Sequence, residues 1–236
     1  MNRKRFDAVL FDVGGVLQLI DYERVEAALS PSTAKLHREI VYAAHYIALA
    51  ELEQRSDAEE KPVEYGDYLD AYVRALGVPG ADHAEVVTRL TDQLSDGEGW
   101  NDVVPGAVKV LRDLHDLGMR LGIVSNTPLG GVARRLSAAG LCQKGTGTGA
   151  CVDVIIDSHD AGVTKPHPAI FEAAIRELGV ASDSIAFVGD SLIADVRGSS
   201  AAGMQPIHYD PHSLCIFRDH LHATSLSEIP ALIGAA

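Results

Sequence analysis

The sequence predicts an α/β fold with a parallel, doubly wound sheet and a smaller helical insertion. From residue 103 onward, short apolar runs that end in polar residues alternate with helical patterns. From 18 to 100 only helical periodicity is found. With 236 residues, 47% of them hydrophobic, the chain can form one large core domain that carries a smaller one. We therefore expect a core built from 1–17 and 101–236, with 18–100 inserted.

The first predicted strand, 8–11, is a continuous apolar run of the kind that is buried on both faces of a sheet. Asp12 ends this run, and Gly14 and Gly15 follow it. Glycines let the backbone turn tightly and approach a ligand closely. A carboxylate at the end of a buried parallel strand lies where α/β sheets place their chemistry, although aspartate at this position also caps helices.

The insertion is predicted to contain helices and no strand. Tyr42, His45 and Tyr46 lie within it, and we expect them to pack among the helices rather than to contact a substrate. The predicted helices are 22–29, 32–55, 63–76 and 82–94.

The remainder of the chain alternates strands and helices with short turns, which predicts a parallel sheet with right-handed crossovers. The glycine-rich stretch 143–149 lacks the Gly-Lys-Ser/Thr ending of a phosphate-binding loop, and no strand leads into it, so we predict a flexible loop there. The predicted strands are 120–124, 152–156, 185–188 and 206–209, and the helices are 105–117, 129–139, 169–178, 192–202 and 226–233.

The composition excludes several classes of protein. A net charge of −13 argues against a nucleic-acid partner, and an anionic substrate would need local positive charge or a metal. No run of 18 apolar residues is present, and Asp12 interrupts the one candidate signal segment, so a cytoplasmic protein without membrane contact is expected. Cys142, Cys151 and Cys215 have no metal-site or disulfide spacing and are predicted to be reduced thiols.

Polar side chains follow several of the predicted strands. Asp12, Ser125 and Asp190 each end a strand, and the loop after another strand carries Lys165. Asp195 lies five residues after Asp190 and can face the same crevice at the carboxyl edge of the sheet. Taken singly, each of these residues could equally be a helix cap or a solvated side chain. Together, the clustered carboxylates favour a hard cation such as Mg²⁺.

These residues resemble the four motifs of the haloacid dehalogenase superfamily, and the resemblance covers the whole chain. It implies a Rossmann-like three-layer core with a parallel sheet, in which 18–100 has the position of the α-helical cap of subfamily I. The first motif is similar to the Asp-x-Gly variant found in a subgroup of phosphatases. The matching residues are 12–16 (DVGGV), Ser125 with Asn126, Lys165 with Pro166, and 189–195 (GDSLIAD).

The resemblance implies a Mg²⁺-dependent hydrolase of small phosphorylated metabolites, a monomer or a homodimer, that acts through an aspartyl-phosphate. Asp12 would be the nucleophile, Ser125 and Asn126 would bind the substrate, and Lys165 would both bind substrate and balance charge. The implied metal-site residues are Asp12, the backbone carbonyl of Gly14, Asp190 and, in support, Asp195.

One position departs from the family pattern. Phosphatases of the superfamily typically carry a second aspartate where this chain has Gly14, and haloacid dehalogenases carry a tyrosine there. A residue of the cap could replace the missing acid, the substrate could have a good leaving group, or catalysis could have been lost. The alternatives to a phosphatase are therefore a 2-haloacid dehalogenase and a non-catalytic protein that binds a phosphometabolite or a partner protein.

Overall fold

The computed structural model describes residues 6–29, 35–59, 65–145, 147 and 149–235. It divides into two compact units. One contains the residues up to Leu17 and those from Val103 onward, and the other is Gln18–Asp102. The predicted starts of two helices, at Ser32 and Val63, lie outside the described residues.

A six-stranded parallel sheet forms the centre of the larger unit. The chain adds strands first toward one edge and then toward the other, so the strand order reverses beside the first strand. Parallel sheets bind ligands outside the carboxyl ends of the strands at such a reversal. The α/β, Rossmann-like class predicted from the sequence is confirmed. Across the sheet the order is β10 (Leu221–Ala223), β9 (Gln205–Tyr209), β8 (Ile185–Gly189), β1 (Ala8–Phe11), β4 (Arg120–Ser125) and β7 (Val154–Asp157).

All residues of β1 and β8 are buried. Ala8 and Leu10 belong to a core cluster with Phe171 and Phe187, whose rings meet edge to face at 5.4 Å. Val9 alternates with these residues along the strand and is buried on the opposite face. The helices of this unit are α5 (Ala107–Asp116), α6 (Val132–Ala138), α7 (Ser158–Ala161), α8 (Pro168–Leu178), α9 (Gly198–Ala201) and α10 (Ile229–Leu232).

The smaller unit contains α1 (Tyr22–Ala28), α2 (Arg38–Glu59), α3 (Tyr65–Ala75) and α4 (His83–Leu94) around its own apolar core. The prediction that this region has no strand is wrong, because Gln18–Leu19 forms a short strand, β2. Another, β3, is Asp102–Val103. Two residues are too few to show the alternation by which a strand is recognised.

Three further corrections apply to the larger unit. The predicted strand 152–156 is two strands, β6 (Ala150–Val152) and β7, because Asp153 leaves the ladder and bonds the backbone of Leu121 with both its N–H (2.7 Å) and its carboxylate (2.8 Å). Part of the predicted loop 143–149 is the strand β5 (Cys142–Lys144), which pairs with β6. Thr146 and Thr148 of that loop lie outside the described residues. The strand β10 was not predicted.

Candidate active site

Three carboxylates and one lysine meet beyond the carboxyl ends of β1 and β8. One carboxylate oxygen from each of Asp12, Asp190 and Asp195 lies within 4.8 Å of the others. Lys165 Nζ lies 2.6 Å from Asp12 Oδ1 and 2.7 Å from Asp195 Oδ1, and the lysine side chain is only 2% exposed. We call these four residues the carboxylate–lysine cluster. The sequence predicted that they lie together, and the structure brings them together.

The turn after β1 positions Asp12. Its backbone N–H donates to the carbonyl of Val188 on the neighbouring strand at 2.9 Å, and the N–H of Leu17 closes the turn on the carbonyl of Val13 at 2.9 Å. Gly15 has φ of +75°, a conformation that favours glycine. Gly14 does not have a positive φ, so its backbone conformation would accept a side chain.

A π-helical turn, Leu192–Arg197, places Asp195 beside Lys165. The N–H groups of Asp195 and Val196 both donate to the Ser191 carbonyl, at 3.1 and 3.0 Å. The Ser191 N–H donates back to Asp195 Oδ2 at 3.1 Å. One oxygen of Asp195 is therefore bound to Lys165 and the other to the main chain. The single helix predicted over 192–202 is instead this turn followed by α9, since a one-residue widening leaves no mark on the apolar pattern.

Gly189 is required for this arrangement. A Cβ atom there would lie 2.2 Å from the Cβ and 2.3 Å from the Cγ of Asp195. Any other residue would push the Asp195 carboxylate away from Lys165.

Asn126 clamps the backbone of Lys165. Its Nδ2 donates to the Lys165 carbonyl at 3.0 Å, and its Oδ1 accepts the Lys165 N–H at 2.8 Å. The side-chain amide is thus engaged through both its nitrogen and its oxygen, so it positions the lysine.

Ser125 is the last residue of β4 and is 3% exposed. Phe11 pairs with Ile123 in the sheet, so Ser125 lies one residue beyond the level of Asp12 at the same edge.

Asp157, at the end of β7, is a residue of this edge that sequence reasoning missed. It pairs with Ser125 in the sheet register. Its buried carboxylate accepts the Thr127 hydroxyl and the N–H groups of Val132 (3.1 Å) and His159 (3.0 Å). It therefore fixes the segment that follows Ser125. The available signal was an aspartate between a strand and a short helix, which is the position of a helix cap.

Burial dominates the electrostatics of the carboxylate–lysine cluster. It raises the pKa of Asp12 to about 7, opposed by the charge of Lys165 and reinforced by Asp195 and Asp190. Burial, followed by the charge of Asp195, raises the pKa of Asp190 well above its usual range. Burial alone would lower the pKa of Lys165, but the charges of Asp12 and Asp195 outweigh it and raise that pKa.

The donor set fits a divalent cation. With all three carboxylates ionised, the cluster would carry −3 + 1 = −2, and a divalent cation would neutralise this charge and favour the ionised forms over the raised pKa values of Asp12 and Asp190. Carboxylate oxygens are the ligands that Mg²⁺ prefers. Each oxygen of Asp195 already faces a partner, Lys165 Nζ at 2.7 Å and the Ser191 N–H at 3.1 Å.

Several polar side chains of the helical unit make their contacts within that unit. His45 is 4% exposed, its Nδ1 lies 2.8 Å from the Tyr68 hydroxyl, and its ring packs edge-on against Trp100 at 5.4 Å. The Tyr42 hydroxyl donates to the Asp102 carboxylate at 2.8 Å. The Asp21 carboxylate caps α1 by accepting the Arg24 N–H at 3.0 Å. As expected, His45 and Tyr42 pack among the helices.

In the part of the chain that the structure describes, no helix is long and apolar enough to cross a membrane.

A family model described as haloacid dehalogenase-like hydrolase matches residues 6–203. Among curated proteins, the chain is 29% identical to a glyceraldehyde 3-phosphate phosphatase of Methanopyrus kandleri over 84% of this chain and 81% of that protein. It is 26% identical to a ribulose-1,5-bisphosphate 5-phosphatase of Halopiger xanaduensis, over 86% and 84% of the two chains.

Solved structures share the fold. The magnesium-bound HAD-hydrolase YfnB of Bacillus subtilis superposes with a TM-score of 0.64 at 21% identity, over 98% of this chain and 99% of that one. A 2-haloacid dehalogenase of Pseudomonas syringae gives a TM-score of 0.56 at 21% identity, over 97% and 98%. At this level of identity the likeness concerns the fold, which serves more than one chemistry.

Proposed function

The chain belongs to the haloacid dehalogenase-like hydrolase family, and from this premise we propose that it is a Mg²⁺-dependent phosphatase of small phosphate monoesters that forms an aspartyl-phosphate. The observation that carries the proposal is the Asp12 carboxylate, buried at the end of β1, paired with Lys165 and adjacent to Asp190. The curated relatives reported above are named as phosphatases of small sugar phosphates, which supports a substrate of that class.

In the proposed reaction an oxygen of Asp12 attacks the phosphorus atom, and the bond to the ester oxygen breaks as the acyl phosphate forms. Water then attacks the phosphorus, releasing inorganic phosphate and restoring the carboxylate. Asp12 must be ionised to attack, and the adjacent Lys165 ammonium favours that form.

The remaining residues of the site bind the substrate or hold other groups in position. We assign to the Ser125 hydroxyl, the Asn126 backbone N–H and the Lys165 ammonium the binding of the transferring phosphoryl oxygens. Asn126 holds Lys165 in place through its side chain. When bound, Mg²⁺ supplies charge neutralisation and phosphoryl polarisation. The residues assigned to hold it are Asp12, the Gly14 carbonyl and Asp190, with Asp195 acting through Lys165.

Gly14 limits the range of substrates. It supplies no carboxylic acid to protonate the leaving oxygen, a contribution worth about 10²–10⁴-fold when present. Two acid–base side chains of the inserted unit, His45 and Asp21, are engaged with Tyr68 and with the start of α1. We therefore propose that the preferred esters are those of acidic alcohols, whose oxygen leaves without a proton.

The test is a panel of phosphate monoesters, assayed with Mg²⁺ and with excess chelator, alongside chloride release from 2-chloropropionate. We expect phosphate release that requires Mg²⁺ and no chloride release. Turnover of the haloacid in chelator would overturn the proposal in favour of a dehalogenase. Binding of inorganic phosphate without turnover of any ester would overturn it in favour of a non-catalytic protein.

A further inference from the structure

A second group of metal-binding side chains lies beside the candidate active site. His208 in β9 and His222 in β10 are register partners in the sheet. Cys215 and His220 lie between them, in a connection, 210–220, that contains neither helix nor strand. We call these four residues the histidine–cysteine cluster. They play no part in the proposed phosphatase reaction.

The four side chains converge on one point. One ligand atom from each lies within 4.8 Å of the others. His208 Nδ1 is 3.1 Å from His220 Nε2, which is 3.9 Å from Cys215 Sγ. A tetrahedral zinc ion with Zn–N bonds of about 2.1 Å and Zn–S bonds of about 2.3 Å needs ligand atoms about 3.3–3.8 Å apart. The cluster is therefore close to the dimensions of such a site.

The outer nitrogen of each ring has an acceptor. His208 Nε2 donates to the Asp190 carbonyl at 2.9 Å, and His222 Nε2 to the Phe217 carbonyl at 3.1 Å. His220 Nδ1 donates to the Asp219 carboxylate at 2.8 Å. In a neutral imidazole the other nitrogen then carries a lone pair. Ligation by one nitrogen, with the other donating to a carbonyl or carboxylate, is the usual arrangement of metal-bound histidines.

These contacts direct two inner ring nitrogens at each other. His208 Nδ1 lies 3.1 Å from His220 Nε2, and in a neutral ring whose outer nitrogen donates, this inner nitrogen carries the lone pair. The site is largely shielded from solvent: His208 and Cys215 are 6% and 8% exposed, and the side chains of His220 and His222 are 4% and 22% exposed. A cation between two such lone pairs would hold both rings in the orientation that the structure shows.

We propose that His208, Cys215, His220 and His222 bind one Zn²⁺ ion in a closed, structural site. Thiolate and imidazole ligands select zinc over magnesium, and four protein ligands leave no position open for catalysis. Asp210 completes the charge balance: its buried carboxylate accepts the Cys215 N–H at 3.0 Å and lies 3.7 Å from His222 Nδ1. Zn²⁺, the Cys215 thiolate and the Asp210 carboxylate sum to +2 − 1 − 1 = 0.

The site would cross-link the C-terminal part of the sheet. It joins β9, the irregular connection and the edge strand β10. Through His208 it also holds the main-chain carbonyl of Asp190, whose side chain belongs to the carboxylate–lysine cluster. The sequence prediction that Cys215 is a simple reduced thiol would then hold for Cys142 and Cys151 only.

Cobalt spectroscopy tests the site directly, because the histidine–cysteine cluster contains a thiol and the carboxylate–lysine cluster does not. Chelator-treated full-length protein is titrated with Co²⁺ in excess Mg²⁺, and Zn²⁺ is then added. We expect a thiolate-to-cobalt charge-transfer band and strong tetrahedral d–d absorption, both abolished by one equivalent of Zn²⁺. Cys151→Ser, the matched control, should keep the band and Cys215→Ser should lose it. Absence of the band in folded wild-type protein, or its persistence in Cys215→Ser, would overturn the proposal.

Affinity and stability give a second readout, independent of the phosphatase proposal. His220→Ala should weaken Zn²⁺ binding by at least about 100-fold and abolish the rise in melting temperature that Zn²⁺ produces. His212→Ala, an exposed neighbour in the same connection, should retain both. If His220→Ala does not fold, Asp219→Asn keeps all four ligands and should weaken binding by about 10-fold. The proposal is overturned if folded His220→Ala binds Zn²⁺ as tightly as the wild type. If His220→Ala does not fold, unchanged zinc affinity in Asp219→Asn overturns it.

Discussion

Two clusters of potential metal ligands lie at one edge of the sheet, and they differ in every chemical respect. The carboxylate–lysine cluster presents hard oxygen atoms and contains its own cation, Lys165. The histidine–cysteine cluster presents nitrogen and sulfur and has no cationic side chain among its ligands. Asp190 belongs to the carboxylate–lysine cluster through its carboxylate, and its backbone carbonyl contacts His208 of the histidine–cysteine cluster. If both proposals hold, two neighbouring sites of this chain are built for different ions.

The difference also concerns what burial does to each cluster. In the first cluster, burial raises the pKa of Asp12 to about 7, and the charges of Asp195 and Asp190 add to this effect while that of Lys165 opposes it. The second cluster instead brings ring nitrogens and a thiol together, with the outer nitrogens of its histidines held by carbonyl and carboxylate oxygens. We expect the first site to bind and release its ion with the catalytic cycle and with pH, and the second to retain its ion.

The largest effect is expected from Asp12→Asn. The amide is similar in shape but cannot attack phosphorus, so kcat should fall by at least about 1,000-fold. The cobalt–thiolate band of the histidine–cysteine cluster should be unchanged, which would separate the two clusters. Asp7→Asn, an exposed aspartate just before β1, is the matched control. Near wild-type kcat in Asp12→Asn would exclude the covalent mechanism.

Asp190→Asn should reduce kcat/KM by about 100-fold at low Mg²⁺, because an amide is a poorer ligand for a hard cation. Raising the Mg²⁺ concentration should restore part of the activity. Zinc content should not change, since the Asp190 carbonyl that His208 bonds is still present. Steady-state kinetics over a Mg²⁺ titration measure this dependence of kcat/KM. A substitution at an exposed aspartate, Asp183→Asn, is the control. A Mg²⁺ dependence equal to that of wild type would remove Asp190 from the metal site.

Gly14→Asp adds a carboxylic acid beside the carboxylate–lysine cluster, at the position where other phosphatases of the family carry one. Rates of the wild-type enzyme should fall steeply as the leaving-group pKa rises from aryl to alkyl phosphates. The variant should flatten this slope and raise rates on alkyl esters by about 10-fold or more. The absence of a positive φ at Gly14 makes the substitution feasible. A flat slope in the wild type would mean that another residue already supplies the proton.

The smallest effect concerns pH and stability without metal. The pKa of Asp12 is about 7 in the folded protein against an ordinary value of 3.8, so the folded state binds the extra proton between these values. The stabilisation from the protonated form is complete below about pH 3.8 and is lost as the pH rises to about 7. In chelator, Asp12→Asn should therefore gain melting temperature relative to wild type over that range, and Mg²⁺ should reduce the gain. If the melting temperatures of the two proteins changed in parallel with pH, the raised pKa of Asp12 would be contradicted.

The sequence predicted the first cluster because its residues occupy fixed places relative to strands. Asp12 and Asp190 follow apolar runs, and parallel strands bring such positions to one edge whatever the intervening chain does. Substrate binding by Asn126 stays a prediction; what the structure adds is that its side chain binds the Lys165 backbone. No local pattern distinguishes these two uses of an asparagine.

The second cluster could not be predicted, because its members carry no spacing of a known metal motif. His208 and His222 become neighbours only through the pairing of β9 with β10, and β10 itself was not predicted. Its three residues, Leu221–Ala223, mix an apolar, a polar and a small side chain, so they show no strand periodicity. A site that depends on the register of a strand pair is visible only once the pair is known.

The two hydrogen bonds between Asn126 and the backbone of Lys165 restrict where this chain can change length. They tie together two loops that are 39 positions apart in sequence, so an inserted residue in either loop would break both bonds and withdraw the ammonium group from Asp12. Deletions and insertions should therefore be accepted poorly in these loops. In a random-insertion library, active variants with insertions in these two loops should be absent. New substrate specificities would have to come from segments of the chain that these hydrogen bonds do not hold.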